Sequence, residues 1–172
     1  MGKRKMLILL AGVSAALTLT TGISPALASP SVVNASGPLR DLSPAADPTD
    51  GARAQVVAVA PGDGSTRVYL ILTGLNPASA GTTFGAHVHI GQCIAGNPTA
   101  ALGHYNTGTT PSPQSEVWLD FTVLPGGVAV SQTVVPFEIP PGGAGAVVIH
   151  ALPTTPGTGA AGARLACLPV QF

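Results

Sequence analysis

The chain has 172 residues, of which 22 are glycine, 17 are proline and only 8% are charged, with seven cations against seven anions. Three of the seven cations lie within residues 3–5, and with the remaining four against seven anions no nucleic-acid partner is expected. The length suits one domain with a modest core.

Met1-Gly2-Lys3-Arg4-Lys5, an apolar run over residues 6–17 and the closing Ala26-Leu27-Ala28 form the three zones of a secretory signal peptide, with cleavage expected after Ala28. The run is short and soon interrupted by Thr18, Thr20 and Thr21, so no membrane span is expected in the mature protein. Cleavage removes Lys3, Arg4 and Lys5 and no acid, which leaves four arginines against seven carboxylates and a net charge of −3. The first cysteine is Cys93, far from any lipid-attachment position. The expected location is therefore secreted and extracellular, with release or loose association with the cell surface.

Residues 29–52 carry Pro30, Pro38, Pro44 and Pro48 among Ser, Ala and Asp, the composition of a linker, although residues 37–42 can add an edge strand. From Arg53 to the C-terminus the pattern changes to short β-type runs at 54–60, 66–75, 84–90, 116–124, 128–135, 145–150 and 164–170. Alternation is clearest in the second, where Val68, Leu70 and Leu72 share one face and Arg67, Tyr69 and Ile71 the other. Pro61-Gly62-Asp63-Gly64 and Pro125-Gly126-Gly127 supply hairpin turns. Seven to eight short antiparallel strands over residues 53–172 predict an all-β sandwich or barrel. Gly, Ala and Thr dominate residues 157–162, which reads as a mobile loop.

The two cysteines, Cys93 and Cys167, favour a disulfide in an exported chain, with an expected stabilisation of roughly 4–5 kcal/mol from the loop it closes. The histidines are four: His87 and His89 in one predicted strand, His104 after Gly103 in a loop, and His150 at the end of an apolar run. Residues two apart in a strand share a face, so His87 and His89 project together and can chelate one ion. Taken singly, each has a bland reading: a polar strand pair, a turn histidine and a histidine at the core edge.

In order, Gly85-Ala86-His87-Val88-His89, Gly103-His104-Tyr105-Asn106, Val147-Val148-Ile149-His150 and Gly162-Ala163-Arg164-Leu165-Ala166-Cys167 resemble the four characteristic segments of the copper/zinc superoxide dismutases. The resemblance runs from about Arg53 to the C-terminus. It implies a Greek-key β-sandwich or barrel, with His87, His89, His104 and His150 as copper ligands. Cys93 and Cys167 would form the intrasubunit disulfide, and Arg164 the guanidinium that draws superoxide to the metal. Copper also suits the donors, since four neutral imidazoles bind Cu(II) more tightly than Zn(II), and zinc does not change redox state.

The chain departs from that family in two loops. Residues 107–115 hold no His, Asp or Glu, so a complete zinc site is not expected, and residues 151–163 hold no charge. This pattern is similar to a copper-only branch. Without zinc another group must hold the far nitrogen of His104. Glu116 and Asp120 share a face of a predicted strand and either carboxylate can serve, with Glu116 favoured; both can equally solvate an outer face. The leading expectation is a secreted, copper-dependent superoxide dismutase in which His104 carries protons. The alternatives are a non-catalytic exported copper-binding protein, for sequestering or delivery, and a metal-free envelope module. Arg164 discriminates between them, because a metal buffer needs no anion-attracting group, unless that arginine merely ties down the loop from Ala151.

Overall fold

The computed structural model describes residues 29–172; the predicted signal segment, residues 1–28, lies outside them. The described residues form ten strands: β1 (Ser31–Pro38), β2 (Arg40–Asp41), β3 (Arg53–Ala60), β4 (Thr66–Thr73), β5 (Thr83–Phe84), β6 (Ala86–His89), β7 (Phe121–Thr122), β8 (Ala129–Val135), β9 (Ala146–His150) and β10 (Arg164–Pro169). Two short 3-10 turns, Pro77–Ser79 and Pro98–Ala101, complete them. No described helix is long and apolar enough to cross a membrane.

The strands assemble into two four-stranded antiparallel sheets, β1-β3-β4-β8 and β2-β10-β9-β6, with β5 and β7 paired separately. The architecture is an all-β sandwich rather than a closed barrel. Its cause is the two-residue period of the strands: in β4, Thr66, Val68, Leu70 and Leu72 are buried while Arg67, Tyr69, Ile71 and Thr73 are exposed. Val56, Val68, Leu70 and Leu72 from the first sheet meet Val88, Val147, Ile149 and Leu168 from the second in one core.

The second sheet is buried on both faces, as the unbroken burial of β6 and β9 shows. Its outer face carries a second apolar cluster of Leu42, Cys93, Ala101, Ala146, Val148 and Cys167. The Cys93–Cys167 disulfide is formed there, with Cα atoms 5.7 Å apart, and pins the loop after β6 to β10. Arg40 adds a hydrogen bond from Nη1 to the Cys93 carbonyl at 2.7 Å.

Residues 29–52 are only partly a linker. β1 pairs with β3 along all eight of its residues, with Ser31 opposite Ala60 and Pro38 opposite Arg53. The strand therefore starts six residues before the expected 37–42, within which Gly37 and Pro38 end β1 and Arg40–Asp41 form β2 against β10. An edge strand needs burial on one face and a partner on one side only, so Val33 and Ala35, packed half-buried on the core, are enough to seat it.

Candidate metal centre

β6 delivers His87 and His89 to the outer face of the second sheet because Ala86 and Val88 take the core face. β9 delivers His150 from its last residue, two after Val148 on the same outer face. His104 comes from a loop that returns alongside β6: Tyr105 N–H donates to Val88 O at 2.8 Å and Ile90 N–H to Gly103 O at 3.1 Å, which sets His104 opposite His89. The four imidazoles converge, with His87 and His104 ring centroids 4.1 Å apart and one nitrogen of each within 4.8 Å of the others.

Each imidazole is held by its far nitrogen. His89 Nδ1–H donates to Leu102 O at 3.2 Å, and His150 Nδ1–H to Gly162 O at 3.4 Å. His104 Nδ1–H donates to Glu116 Oε2 at 2.9 Å. His87 uses the other nitrogen: the Thr154 hydroxyl donates to Asp120 Oδ1 at 2.5 Å, so its lone pair accepts from His87 Nε2–H at 2.6 Å. Fixing a ring by its far N–H sets the tautomer and leaves the near nitrogen bare. His87 Nδ1 is accordingly buried with no hydrogen-bond partner.

Four near nitrogens without a carboxylate among them form a nitrogen-only donor set; with both Nδ1–H groups committed elsewhere, His89 Nε2 and His150 Nε2 face each other as lone pairs at 3.3 Å. A first-row metal binds imidazole at about 2.0–2.1 Å, so opposite nitrogens would lie at most about 4.2 Å apart, and a contraction of roughly half an ångström closes the set. An orphaned, buried acceptor at His87 Nδ1 costs about 1–3 kcal/mol when nothing fills it, which is the observation that fits the site to a metal ion. The described residues thus hold a buried four-histidine group able to bind a metal.

Electrostatics agree with neutral imidazoles. Burial holds the His87 pKa down to about 2, helped by the repulsion a second proton would meet from His104, His150 and His89. Burial likewise takes His89 down to about 3, with His104, Arg164 and His150 adding to it. For His150 burial lowers the value to about 4, against an opposing pull from the Gly162 hydrogen bond.

Glu116 is buried and accepts three hydrogen bonds, from His104 Nδ1, from Asn106 Nδ2 at 2.8 Å and from Trp118 Nε1 at 2.7 Å. Asp120 does not reach His104; it accepts from Thr154 through both the backbone N–H, at 2.8 Å, and the hydroxyl. The two carboxylates, four residues apart, therefore serve different histidines, Glu116 bonding His104 directly and Asp120 reaching His87 through Thr154. Arg164 Nη1 donates to Pro98 O at 2.5 Å and Nη2 to Leu102 O. It ties down the loop after β6 rather than the loop from Ala151, and its charge still acts on His89 and His150.

Several partners were not marked by the sequence pattern. Leu102 has φ +56°, an unfavourable conformation for a side-chain-bearing residue, and its carbonyl receives both His89 and Arg164. The loop of residues 151–163, of which 157–162 are expected from composition to be mobile, is tied by Ala151 N–H to Ala163 O, Leu152 N–H to Ala161 O and Thr155 N–H to Ala160 O. Its Gly159, at φ +67°, lies over the His104–Glu116 pair, where a Cβ would come within 3.0 Å of Glu116 Oε2. Gly85 permits the same loop to approach β6, since a Cβ there would meet Ala161 Cβ at 2.7 Å.

No family model matches the chain, and no curated protein does. Among solved structures the chain is similar to the clock protein EA4, with a TM-score of 0.58 and 17% identity over 89% of this chain and 99% of that one. At that identity the likeness shows the fold alone.

Proposed function

We propose that the protein is a copper-dependent superoxide dismutase of the copper/zinc superoxide dismutase family, working without zinc. The observation that carries the reading is the set of four bare imidazole nitrogens with every far nitrogen occupied by a protein acceptor. Copper is favoured over zinc by the all-nitrogen donors and the Irving–Williams order. Secretion, suggested by the N-terminal sequence and compatible with the Cys93–Cys167 disulfide, would put the reaction outside the cell.

His87, His89, His104 and His150 would hold the ion. Copper, when bound, supplies reversible one-electron exchange, by which two superoxide anions and two protons become dioxygen and hydrogen peroxide. Arg164, held at the site by two carbonyls, attracts the substrate anion and can hold it by charge-assisted hydrogen bonding. His104 has 18% side-chain exposure, against 0% for the whole residues His87 and His89 and 4% for His150. It is the histidine that solvent can reach, and the proton is carried at its Nε2 while Nδ1–H stays on Glu116.

The second reading is a copper carrier on the same scaffold, favoured by the absence of charge over residues 151–163. Pulse radiolysis of superoxide over protein loaded with copper and no zinc, with metal counted on the same sample, separates the two. The expected result is one copper per chain and decay approaching the diffusion range, about 10⁸–10⁹ M⁻¹s⁻¹. One copper with decay no faster than buffer would leave the carrier, and no copper bound would overturn both.

A further inference from the structure

The loop of residues 151–163 has no charge with which to steer an anion, yet it is folded tightly against the histidines. Thr154 is the side chain of this loop that reaches a histidine. Asp120 accepts both the Thr154 backbone N–H, at 2.8 Å, and its hydroxyl, at 2.5 Å. The hydroxyl proton is thereby committed, and the oxygen can only accept from the third partner, His87 Nε2, at 2.6 Å. His87 is fully buried and its Nδ1 has no partner, so no other contact decides which nitrogen carries the proton.

We propose that Thr154, oriented by Asp120, is a positioning residue that fixes His87 in its Nε2–H form and so presents Nδ1, rather than Nε2, to the metal. The other three imidazoles are fixed the opposite way, with Nδ1–H donating outward. His87 and His89 lie two residues apart on one strand, yet their rings are held by different nitrogens, Nε2 of His87 and Nδ1 of His89. The relay also gives the uncharged loop a role: it carries the acceptor on which one ligand's tautomer depends. Gly85 is part of the arrangement, because a Cβ there would approach Thr154 Oγ1 to 3.1 Å and Leu152 O to 2.9 Å.

This inference rests on the metal reading, and its test is chosen to fail separately from it. Histidine tautomers are read in the metal-free protein by ¹⁵N NMR of the imidazole rings, and copper(II) affinity by competition with a chelator, in wild type, Thr154→Val, Thr154→Ser and Asp120→Ala. The wild type and Thr154→Ser should show His87 as Nε2–H and bind copper alike. Thr154→Val should lose that preference and about 10- to 100-fold in affinity, the usual effect of removing a group that orients a ligand. Asp120→Ala should also lose it although Thr154 remains, since the freed hydroxyl can then donate to Nε2. A wild-type His87 protonated on Nδ1, or a Thr154→Val protein with unchanged tautomer and affinity, would overturn the relay. The expected tautomers with no copper bound by any variant would instead overturn the metal reading and, with it, the positioning role.

Discussion

The Glu116 carboxylate accepts from three N–H groups, of which Asn106 Nδ2 and Trp118 Nε1 can only donate and His104 Nδ1 donates in the tautomer this contact selects. Replacing it with glutamine converts one acceptor atom into an N–H donor facing existing donors. In a buried setting that mismatch should cost about 1–3 kcal/mol of stability. Loosening His104 should also lower copper affinity about tenfold or more. Urea unfolding of metal-free protein and chelator competition check the two effects, and Glu116→Gln with wild-type values of both would remove Glu116 from the site. The carboxylate was findable in the sequence because strand alternation put it on the face of Trp118, away from Val117 and Leu119. Thr154 was not, since a threonine in a Gly- and Ala-rich loop carries no periodicity, and only the folded loop brings it to Asp120. The same holds for the carbonyls of Leu102 and Gly162, which are backbone atoms of the right conformation rather than residue types.

At the scale of strands, alternation decides energy as well as direction. Leu70 is 1% exposed on the core side of β4, while its neighbour Ile71 is 43% exposed on the outer side. Leu70→Ala should therefore cost about 2–5 kcal/mol, and Ile71→Ala under about 1 kcal/mol, by denaturant midpoint. Similar costs for both would contradict the face assignment. This contrast, together with the runs that became β3, β4, β8, β9 and β10, is legible in the residues, because both neighbours of each strand lie in the same sheet or at its edge. Residues 116–124 show why legibility stops. Val117, Leu119, Phe121 and Val123 are all buried as the alternation requires. Their backbone, however, serves two different partners, with Leu119 N–H bonded to Ala86 O in β6 and Phe121 and Thr122 paired to β5. Only β7 is a regular strand there. Side-chain pattern reports the face that is buried and not the strand that supplies the ladder.

The whole molecule places three of its four histidines, His87, His89 and His150, where water is least available, and that has a consequence for its stability. An unfolded histidine takes up a proton near pH 6.5. In the folded protein burial holds His87, His89 and His150 at about 2, 3 and 4, so they stay neutral well below that pH. Below pH 6.5 the unfolded chain thus binds more protons than the folded one, and folding loses stability as pH falls, each such histidine contributing up to about 1.4 kcal/mol per pH unit until its own folded pKa is reached. Three of them together approach about 4 kcal/mol per unit, against total stabilities of about 5–15 kcal/mol for a domain. The loop constraint from Cys93–Cys167, worth roughly 4–5 kcal/mol, does not depend on pH over this range and only displaces the curve upward. The metal-free protein should therefore hold a steady denaturant midpoint above pH 7, lose it steeply between pH 6.5 and 4, and unfold near the lower end of that window. A bound metal occupies the same four nitrogens that protons seek, so the loaded protein should keep its midpoint to lower pH, by the binding free energy it adds to the folded state. Urea titrations of both forms at pH 7.5, 6.5, 5.5 and 4.5 test this directly. A metal-free protein equally stable at pH 7.5 and 4.5 would mean that the imidazoles are not held neutral by burial, and would remove the electrostatic basis for a preformed metal centre.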